Sequence, residues 1–342
     1  MTLRRTLGDA WRRVRGKPPA PRRLRLGLQG GGSHGAFTWG VLDRLLEDSR
    51  FEVDAVSGTS AGALNAAVLA SGWAHDGRDG ARTALGAFWR DVGEHGASFA
   101  PWLAAAEAGR WLHPPSPYAV NPLNLNPLRE VVERHVDPRA LRDGPIRLHV
   151  CATAVATGRP RLFGNRELGI DALLASACLP LLFQAVEIDG AAYWDGGYSG
   201  NPALWPLIYE TRAADLLLVK TQPLSRHATP QTALAIADRA AEIGFNAVLV
   251  AEMRAIAFVK RLLAEQRIEH GRYKDLRMHL IADDPGLEAL DATSKLDTSW
   301  AFLESLFEMG RAAAARWLER HRAAVGVRSS YDIDAAFLAP RG

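Results

Sequence analysis

A serine acts as a nucleophile only where one group takes its proton and another holds the charge forming on the carbonyl it attacks. Ser60 lies in Gly58-Thr59-Ser60-Ala61-Gly62, a G-x-S-x-G pentapeptide. In a nucleophile elbow that serine sits on a tight, strained turn, and the flanking positions must be glycine or very small, because a side chain there would strike the adjoining elements. Short Gly/Ser matches also occur as plain structural turns, so the setting decides. Val53 to Val56 before the motif reads as a strand, and the alanine-rich stretch after it reads as a helix to about Ser71.

A second cluster, Gly30-Gly31-Gly32-Ser33-His34-Gly35, follows a strand signal at Leu24, Leu26 and Leu28 and precedes a helical face at Phe37, Val41 and Leu45. Bare glycine backbone lets N–H groups approach an anion. One reading is G-x-G-x-x-G holding a dinucleotide pyrophosphate on a helix N-terminus. A second is an oxyanion hole beside a nucleophile from the next strand, and a third is a tight turn. A dinucleotide fold wants an acidic residue at the end of the second strand, about 20 residues on. Here Glu52 and Asp54 precede or begin that strand, and Ser57-Gly58-Thr59-Ser60 holds its end, which favours the oxyanion reading.

The third cluster is Trp194-Asp195-Gly196-Gly197, after a short strand signal from Ala191 to Trp194. A carboxylate at a strand end followed by two glycines leaves room for another backbone or a substrate. Taken alone, Asp-Gly-Gly is an ordinary turn. Of the histidines, His34, His149, His279 and His321 are the candidates for a triad base in the order Ser, Asp, His. None sits on a predicted loop after a late strand beside a glycine, and His279 falls inside the strand signal Met278 to Ile281. Cys151 and Cys178 match no zinc spacing and cannot form a disulfide framework, which favours a reducing compartment. The chemistry so far requires no metal and no cofactor.

The elements that must hold these clusters alternate between strand and helix. Residues 80–112 read as helical and rich in Trp and Ala, and Pro114 to Pro127 reads as loop, with Asn126-Pro127 as a helix N-cap and first position. Ile146 to Ala154 and Leu216 to Val219 read as further strands, the latter an apolar run suited to burial on both faces. A long helix begins at Leu234 and extends to about Glu269, and Trp300, Leu303, Phe307, Ala314 and Trp317 mark a terminal helix. Alternation of this kind predicts an α/β fold: a mostly parallel central sheet flanked by helices, with a helical C-terminal addition. The 342 residues, 48% apolar and 23% charged, exclude disorder, collagen and coiled coil. The longest apolar stretch, Ala172 to Phe183, contains Pro180 and falls short of the ~20 residues that span a bilayer. The N-terminus has no apolar signal-peptide core, which with the cysteines predicts a cytoplasmic protein.

Together the three clusters resemble the patatin-like phospholipase family, in order, spacing and strand context. The resemblance runs from about Leu24 to Pro206 and includes Ala175-Ser176-Ala177-Cys178-Leu179-Pro180 and Asn201-Pro202, which look like the bacterial members. It implies a three-layer patatin-like fold and a lipid acyl hydrolase cleaving phospholipid or glyceride esters. By resemblance Ser60 is the nucleophile, Asp195 its partner, and Gly30, Gly31, Gly32, Ser33, His34 and Gly35 form the oxyanion hole. The elbow is then Gly58, Thr59, Ala61 and Gly62, with Gly196 and Gly197 completing the Asp-Gly-Gly motif. His34 departs from the Arg or Lys usual in the family, and Gln29 replaces the Asp of plant members at a position read as structural. A carboxylate at the reference pKa of ~3.9 is a poor base for a serine, so desolvation by Tyr193, Trp194 and the Ala172–Phe183 run must raise it. That run either packs in the core or lines an acyl pocket. Two alternatives stand beside the hydrolase: a non-catalytic membrane-binding or regulatory protein of the same fold, and a nucleotide-dependent oxidoreductase using the glycine loop.

Domain boundaries are expected at 1–23 (basic leader), 24–220 (catalytic core), 221–330 (mainly helical C-terminal part) and 331–342 (tail). Residues 1–25 carry nine Arg/Lys against Asp9 alone, net +8, which leaves −5 on the rest of a chain of net +3. No basic patch with interleaved aromatics continues into the body, which argues against nucleic acid. Leu3, Leu7, Trp11 and Val14 recur at helical spacing beside the arginines; such a segment either lies in an anionic membrane interface or is a solvated tail ended by Pro18, Pro19 and Pro21. An interfacial leader predicts that deleting residues 1–25 weakens binding to anionic vesicles in a salt-dependent way, while turnover of a soluble ester survives. Unchanged vesicle binding identifies a tail.

Overall fold

A computed structural model describes residues 20–96, 116–210, 213–226, 228–269, 272–290 and 292–339. Its strands are β1 (Arg22–Leu28), β2 (Phe51–Thr59), β3 (Arg147–Ala154), β4 (Pro160–Gly164), β5 (Val186–Ile188), β6 (Ala191–Asp195), β7 (Asp215–Val219) and β8 (Arg277–Ile281). The principal helices are α1 (Gly35–Leu46), α2 (Ala61–His95, broken at Asp76 and Gly77), α3 (Pro127–His135), α4 (Ile170–Ser176), α5 (Ala233–Ala264) and α6 (Trp300–His321).

One mixed sheet runs in the order β5-β6-β3-β2-β1-β7-β8, with β4 paired to β3. The five central strands, β3-β2-β1-β7-β8, are parallel, and β4, β5 and β6 join antiparallel. Strand β7 shows why helices cover both faces. Leu217 and Val219 enter the core built with α1, α2 and α6, while Leu216 and Leu218 enter a second core with Leu249 and Met253 of α5. The result is the three-layer architecture expected of alternating elements. Because β2 and β7 flank β1 on opposite sides, the strand order reverses there, and the loops after β1, β2 and β7 converge at the carboxyl ends of the strands. In open α/β sheets this is where ligands bind.

Several expectations need correction. Strands β4 and β5 gave no readable signal, since Pro160 and Arg161 interrupt the first and the second has three residues. The long helix stops at Ala264 rather than Glu269. The Pro114–Pro127 segment contains a helical turn, Pro117–Val120, capped by Ser116. The helix expected over 80–112 is observed to His95, and its remainder lies outside the described residues. Part of the expected tail is seated, because Ile333 and Phe337 are buried against the second core. The basic leader is the largest correction. Residues 1–19 lie outside the described residues, but Arg22, Arg23 and Arg25 belong to β1. Arg25 is wholly buried and donates to the carbonyls of Asp215 and Leu207. A clean leader deletion therefore ends at residue 19, since removing 1–25 would strip the start of a central strand. Among the described residues no helix is long and apolar enough to cross a membrane.

The far edge of the sheet is held by Asp215. Its carboxylate accepts from His279 Nε2 at 2.9 Å, from Arg277 Nη2 at 2.8 Å and from the Gly326 amide at 2.8 Å. Burial pushes its pKa up, but these hydrogen bonds outweigh burial and hold the carboxyl well below the usual range. The folded pKa thus lies below the unfolded one, so the stabilisation is complete above pH ~5 and is lost as acid titrates the carboxyl. Asp215→Asn is expected to lower stability by about 2–3 kcal/mol at neutral pH. Urea melts at pH 7 and pH 3 should show the gap between variant and wild type narrowing in acid.

Candidate active site

Strand β2 ends at Thr59 and helix α2 begins at Ala61, so Ser60 alone makes the turn. It does so at φ 54°, ψ −127°, a conformation that costs a non-glycine residue on the order of 1–3 kcal/mol. The neighbouring glycines are required by contact. A Cβ on Gly58 would stand 2.5 Å from the Gly62 carbonyl oxygen, and one on Gly62 would strike the Leu28 carbonyl at the end of β1. The Ser60 amide donates to Ser176 Oγ at 2.9 Å, tying the elbow to the end of α4.

Asp195 reaches Ser60 across one strand. Thr59 pairs with Cys151 of β3, and Ala152, the next residue, pairs with Asp195 of β6. The Asp195 backbone is fixed on both sides, its N–H donating to Cys178 O at 2.8 Å and its carbonyl accepting from Thr153 Oγ1 at 2.8 Å. Its carboxylate, 3% exposed, accepts from the Gly197 amide at 2.7 Å and is near enough to the Ser60 hydroxyl to feel its dipole. Burial pushes its pKa up to about 6 against the opposing pull of those two groups.

The glycine loop divides into used and unused amides. Gly30 N–H donates to Asn201 Oδ1 at 2.7 Å, and a 3₁₀ turn over Gly32–His34 occupies the His34 and Gly35 amides with the carbonyls of Gly31 and Gly32. Gly30, His34 and Gly35 therefore cannot serve as donors in the way the six-residue reading expected. Among the described residues the amides of Gly31, Gly32 and Ser33 have no protein acceptor, and Ala61, directly after Ser60, is in the same position. Gly32 is at φ +59°, where a Cβ would also collide with the Lys295 carbonyl. The His34 ring leaves the loop to meet Ser294 Oγ at 2.8 Å, and burial pushes its pKa down to about 4, so it is neutral at pH 7.

Buried Gln29 anchors this loop to β7. Its Oε1 accepts from the amides of Thr221 and Gln222, both at 2.9 Å, and its Nε2 donates to Asn246 Oδ1 at 3.0 Å. Thr221 Oγ1 and Gln222 Nε2 then both donate to the Gly30 carbonyl. On the opposite side Asn65 Nδ2 donates to Gly35 O, and Asn65 Oδ1 accepts from Trp89 Nε1. Gln29 was readable as structural. Asn65, Ser176, Thr221 and Gln222 were not, because single polar residues in core elements leave no spacing pattern.

Ser60 and Asp195 sit at the floor of a cavity of about 200 Å³. Leu64, Phe88, Trp89 and Val92 of α2, Leu128 of α3 and Phe245 of α5 form much of its wall. The Ala172–Phe183 run splits between both expected roles: Ala172–Ala175 pack in the core, whereas Ala177, Leu179, Leu182 and Phe183 line the cavity. Among the described residues no histidine lines it. His149 stands 3.5 Å from Glu210, His279 binds Asp215, and His321 lies against Trp317. Cys151 and Cys178 are buried free thiols pushed up to about 12 by desolvation.

A family model described as patatin-like phospholipase matches residues 26–208, which is more than half of the chain and contains the elbow, the glycine loop and Asp195. The chain belongs to the patatin-like phospholipase family. Membership assigns this patatin-like phospholipase to the lipid hydrolases in general terms. Its fold is similar to VipD from Legionella pneumophila, at 14% identity and TM-score 0.43 over 88% of this chain and 68% of that one. It is also similar to the type III effector protein ExoU, at 16% identity and TM-score 0.33 over 88% of this chain. The patatin-like phospholipase spans 53% of that ExoU chain. No curated protein matches its sequence significantly.

The raised pKa of Asp195 has a consequence for stability alone. Because the folded pKa exceeds the unfolded one, the desolvated carboxylate is fully destabilising above pH ~6, and the penalty fades as pH falls from ~6 to ~4. Asp195→Asn is expected to raise stability by about 1–3 kcal/mol at pH 8. Thermal melts should show the gain shrinking at pH 5.

Proposed function

We propose that this patatin-like phospholipase hydrolyses carboxylic esters of lipids, phospholipid or glyceride, through a Ser60–Asp195 dyad and an acyl-enzyme. The observation that carries this reading is that Ser60 and the desolvated carboxylate of Asp195 line the floor of one apolar cavity, where no described histidine lies. Ser60 Oγ attacks the ester carbonyl carbon while its proton passes to Asp195. The charge forming on the carbonyl oxygen is held by the unused amides of Gly31, Gly32 and Ser33. Collapse of the tetrahedral intermediate breaks the bond to the alcohol, which takes the proton from Asp195. Water, deprotonated by the same carboxylate, then attacks the acyl carbon; as the bond to Ser60 Oγ breaks, Asp195 returns that proton to Oγ and the fatty acid is released.

Basicity is the weak point of a carboxylate acting alone, and burial supplies it. A pKa of about 6 stands roughly two units above the reference, and each unit corresponds to about 1.4 kcal/mol in proton affinity. Acyl chains suit the remaining walls, since Leu, Phe and Trp side chains gain by excluding water from hydrocarbon. The non-catalytic alternative leaves the strained Ser60 and the buried Asp195 without a purpose.

Ser60→Ala is expected to abolish turnover of a soluble short-chain ester, and Asp195→Asn to reduce it at least about 100-fold with the fold intact. A fluorophosphonate should modify Ser60 in wild type only. Activity should rise with pH through a limb near 6 as Asp195 ionises. Single substitutions of His34, His149, His279 and His321 should each leave substantial activity. A stable His→Ala variant as inactive as Ser60→Ala would replace the dyad by a Ser-Asp-His triad.

A further inference from the structure

Two segments beside the cavity carry no charged residue at all: Ser116 to Pro127 and Ala172 to Val186. Both expose large apolar side chains. Leu123 is 78% and Leu181 64% exposed, with Tyr118, Leu125 and Val120 also open to solvent. Isolated exposed leucines need no explanation, but grouped ones mark an interaction surface.

The two segments are fastened together. Gln184 Nε2 donates to Asn121 O at 2.7 Å, and the Ala185 amide donates to the Tyr118 hydroxyl at 3.3 Å. Within the first segment, buried Asn121 clamps Leu125 from both sides, its Nδ2 donating to Leu125 O at 2.8 Å and its Oδ1 accepting from Leu125 N at 2.9 Å. The turn that presents Leu123 is therefore built, with its polar groups satisfied inward and its apolar groups turned outward.

This surface continues into the site. Leu128, three residues beyond Leu125, and Leu182 and Phe183, directly after Leu181, line the Ser60 cavity. We propose that Tyr118, Val120, Leu123, Leu125 and Leu181 form a docking face for the hydrocarbon boundary of a phospholipid bilayer, over which an acyl chain passes into the cavity. The proposal rests on the lipid-ester reading of Ser60. Three features select a bilayer as the occupant. A face without charges enters hydrocarbon with no ion to desolvate. Tyr118 combines an apolar ring with a hydrogen-bonded hydroxyl, the character of residues that settle at the interface. Continuity with the acyl cavity means that a docked bilayer delivers substrate without carrying its chain through water. Charges begin again at the margins with Arg129, Asp171 and Glu187, where headgroups would lie.

The test compares the full-length wild-type chain with the Leu123→Glu/Leu181→Glu double variant. Neither side chain lines the cavity and both are exposed. Binding is measured to neutral phosphatidylcholine vesicles in high salt, which screens any contribution from the basic residues 1–19. The double variant is expected to partition at least about tenfold more weakly, and its kcat/KM on vesicle lipid should fall in parallel. Its kcat/KM on a soluble short-chain ester should stay within about twofold of wild type. Equal vesicle partitioning of the two proteins overturns the proposal. So does a wild-type dimer in sedimentation that the substitutions dissolve with partitioning unchanged, which would assign the face to a second copy of the chain. Failure of the Ser60 reading is visible separately, as wild type without soluble-ester turnover or fluorophosphonate labelling, whatever the vesicles show.

Discussion

The site depends on how closely the first turn of α2 approaches the carboxyl ends of β1 and β2. Gly58 and Gly62 allow that approach, since a Cβ on either would meet backbone carbonyl oxygen. With the helix seated so low, Ser60 must turn the chain by itself and point its hydroxyl away from the sheet. Strand register does the rest. Leu28 pairs with Gly58, so the glycine loop leaves β1 level with the elbow, and β3 brings Asp195 to the same height from the other side. Three segments from residues 30, 60 and 195 meet because three strands end on one line.

Conformations of this kind are unfavourable locally and persist only where the surroundings over-determine them. Ser60 holds a strained backbone, Asp195 holds a carboxylate away from water, and the loop leaves several amides unpaired. Each is surrounded by redundant attachment. Gln29, Thr221, Gln222 and Asn201 hold the Gly30 peptide from both of its polar atoms, and Asn65 joins the loop to α2. Behind them, Leu24, Leu26, Leu28 and Val56 lie in a core closed by α1, α2 and α6. The ground state of the site is thus imposed by a sheet whose stability lies elsewhere.

What the sequence made legible follows from range. The elbow, the glycine loop and Asp-Gly-Gly are local patterns with local steric reasons, and each occupies the element expected of it. Alternation of strand and helix signals likewise gave the parallel centre, and β7, buried on both faces, reads as a continuous apolar run. Contacts distant in sequence were not legible. Nothing about Ser176 indicates that it will accept from Ser60, and nothing about Phe88 or Val92 separates a cavity wall from a core helix. Arg25 was grouped with the basic leader because composition counts charge without location, whereas β1 buries it behind the carbonyls of Asp215 and Leu207. The glycine loop was legible as a whole, but which of its amides are left free is decided by a 3₁₀ turn and by Asn201, 171 residues from Gly30.

The same desolvation acts on every titratable group around Ser60, in the direction its charge dictates. It pushes the carboxyl of Asp195 up to about 6, the thiols of Cys151 and Cys178 up to about 12, and the imidazole of His34 down to about 4. At pH 7 the thiols keep their protons and the imidazole is uncharged. Asp195, though raised, is still mostly ionised, so among these groups the proposed base is the one that can take a proton. An imidazole in that position would have its basicity lowered by burial, whereas a carboxylate gains. An apolar acyl cavity and a carboxylate base are therefore mutually consistent choices: the walls that would receive a lipid chain are the walls that make the carboxylate basic.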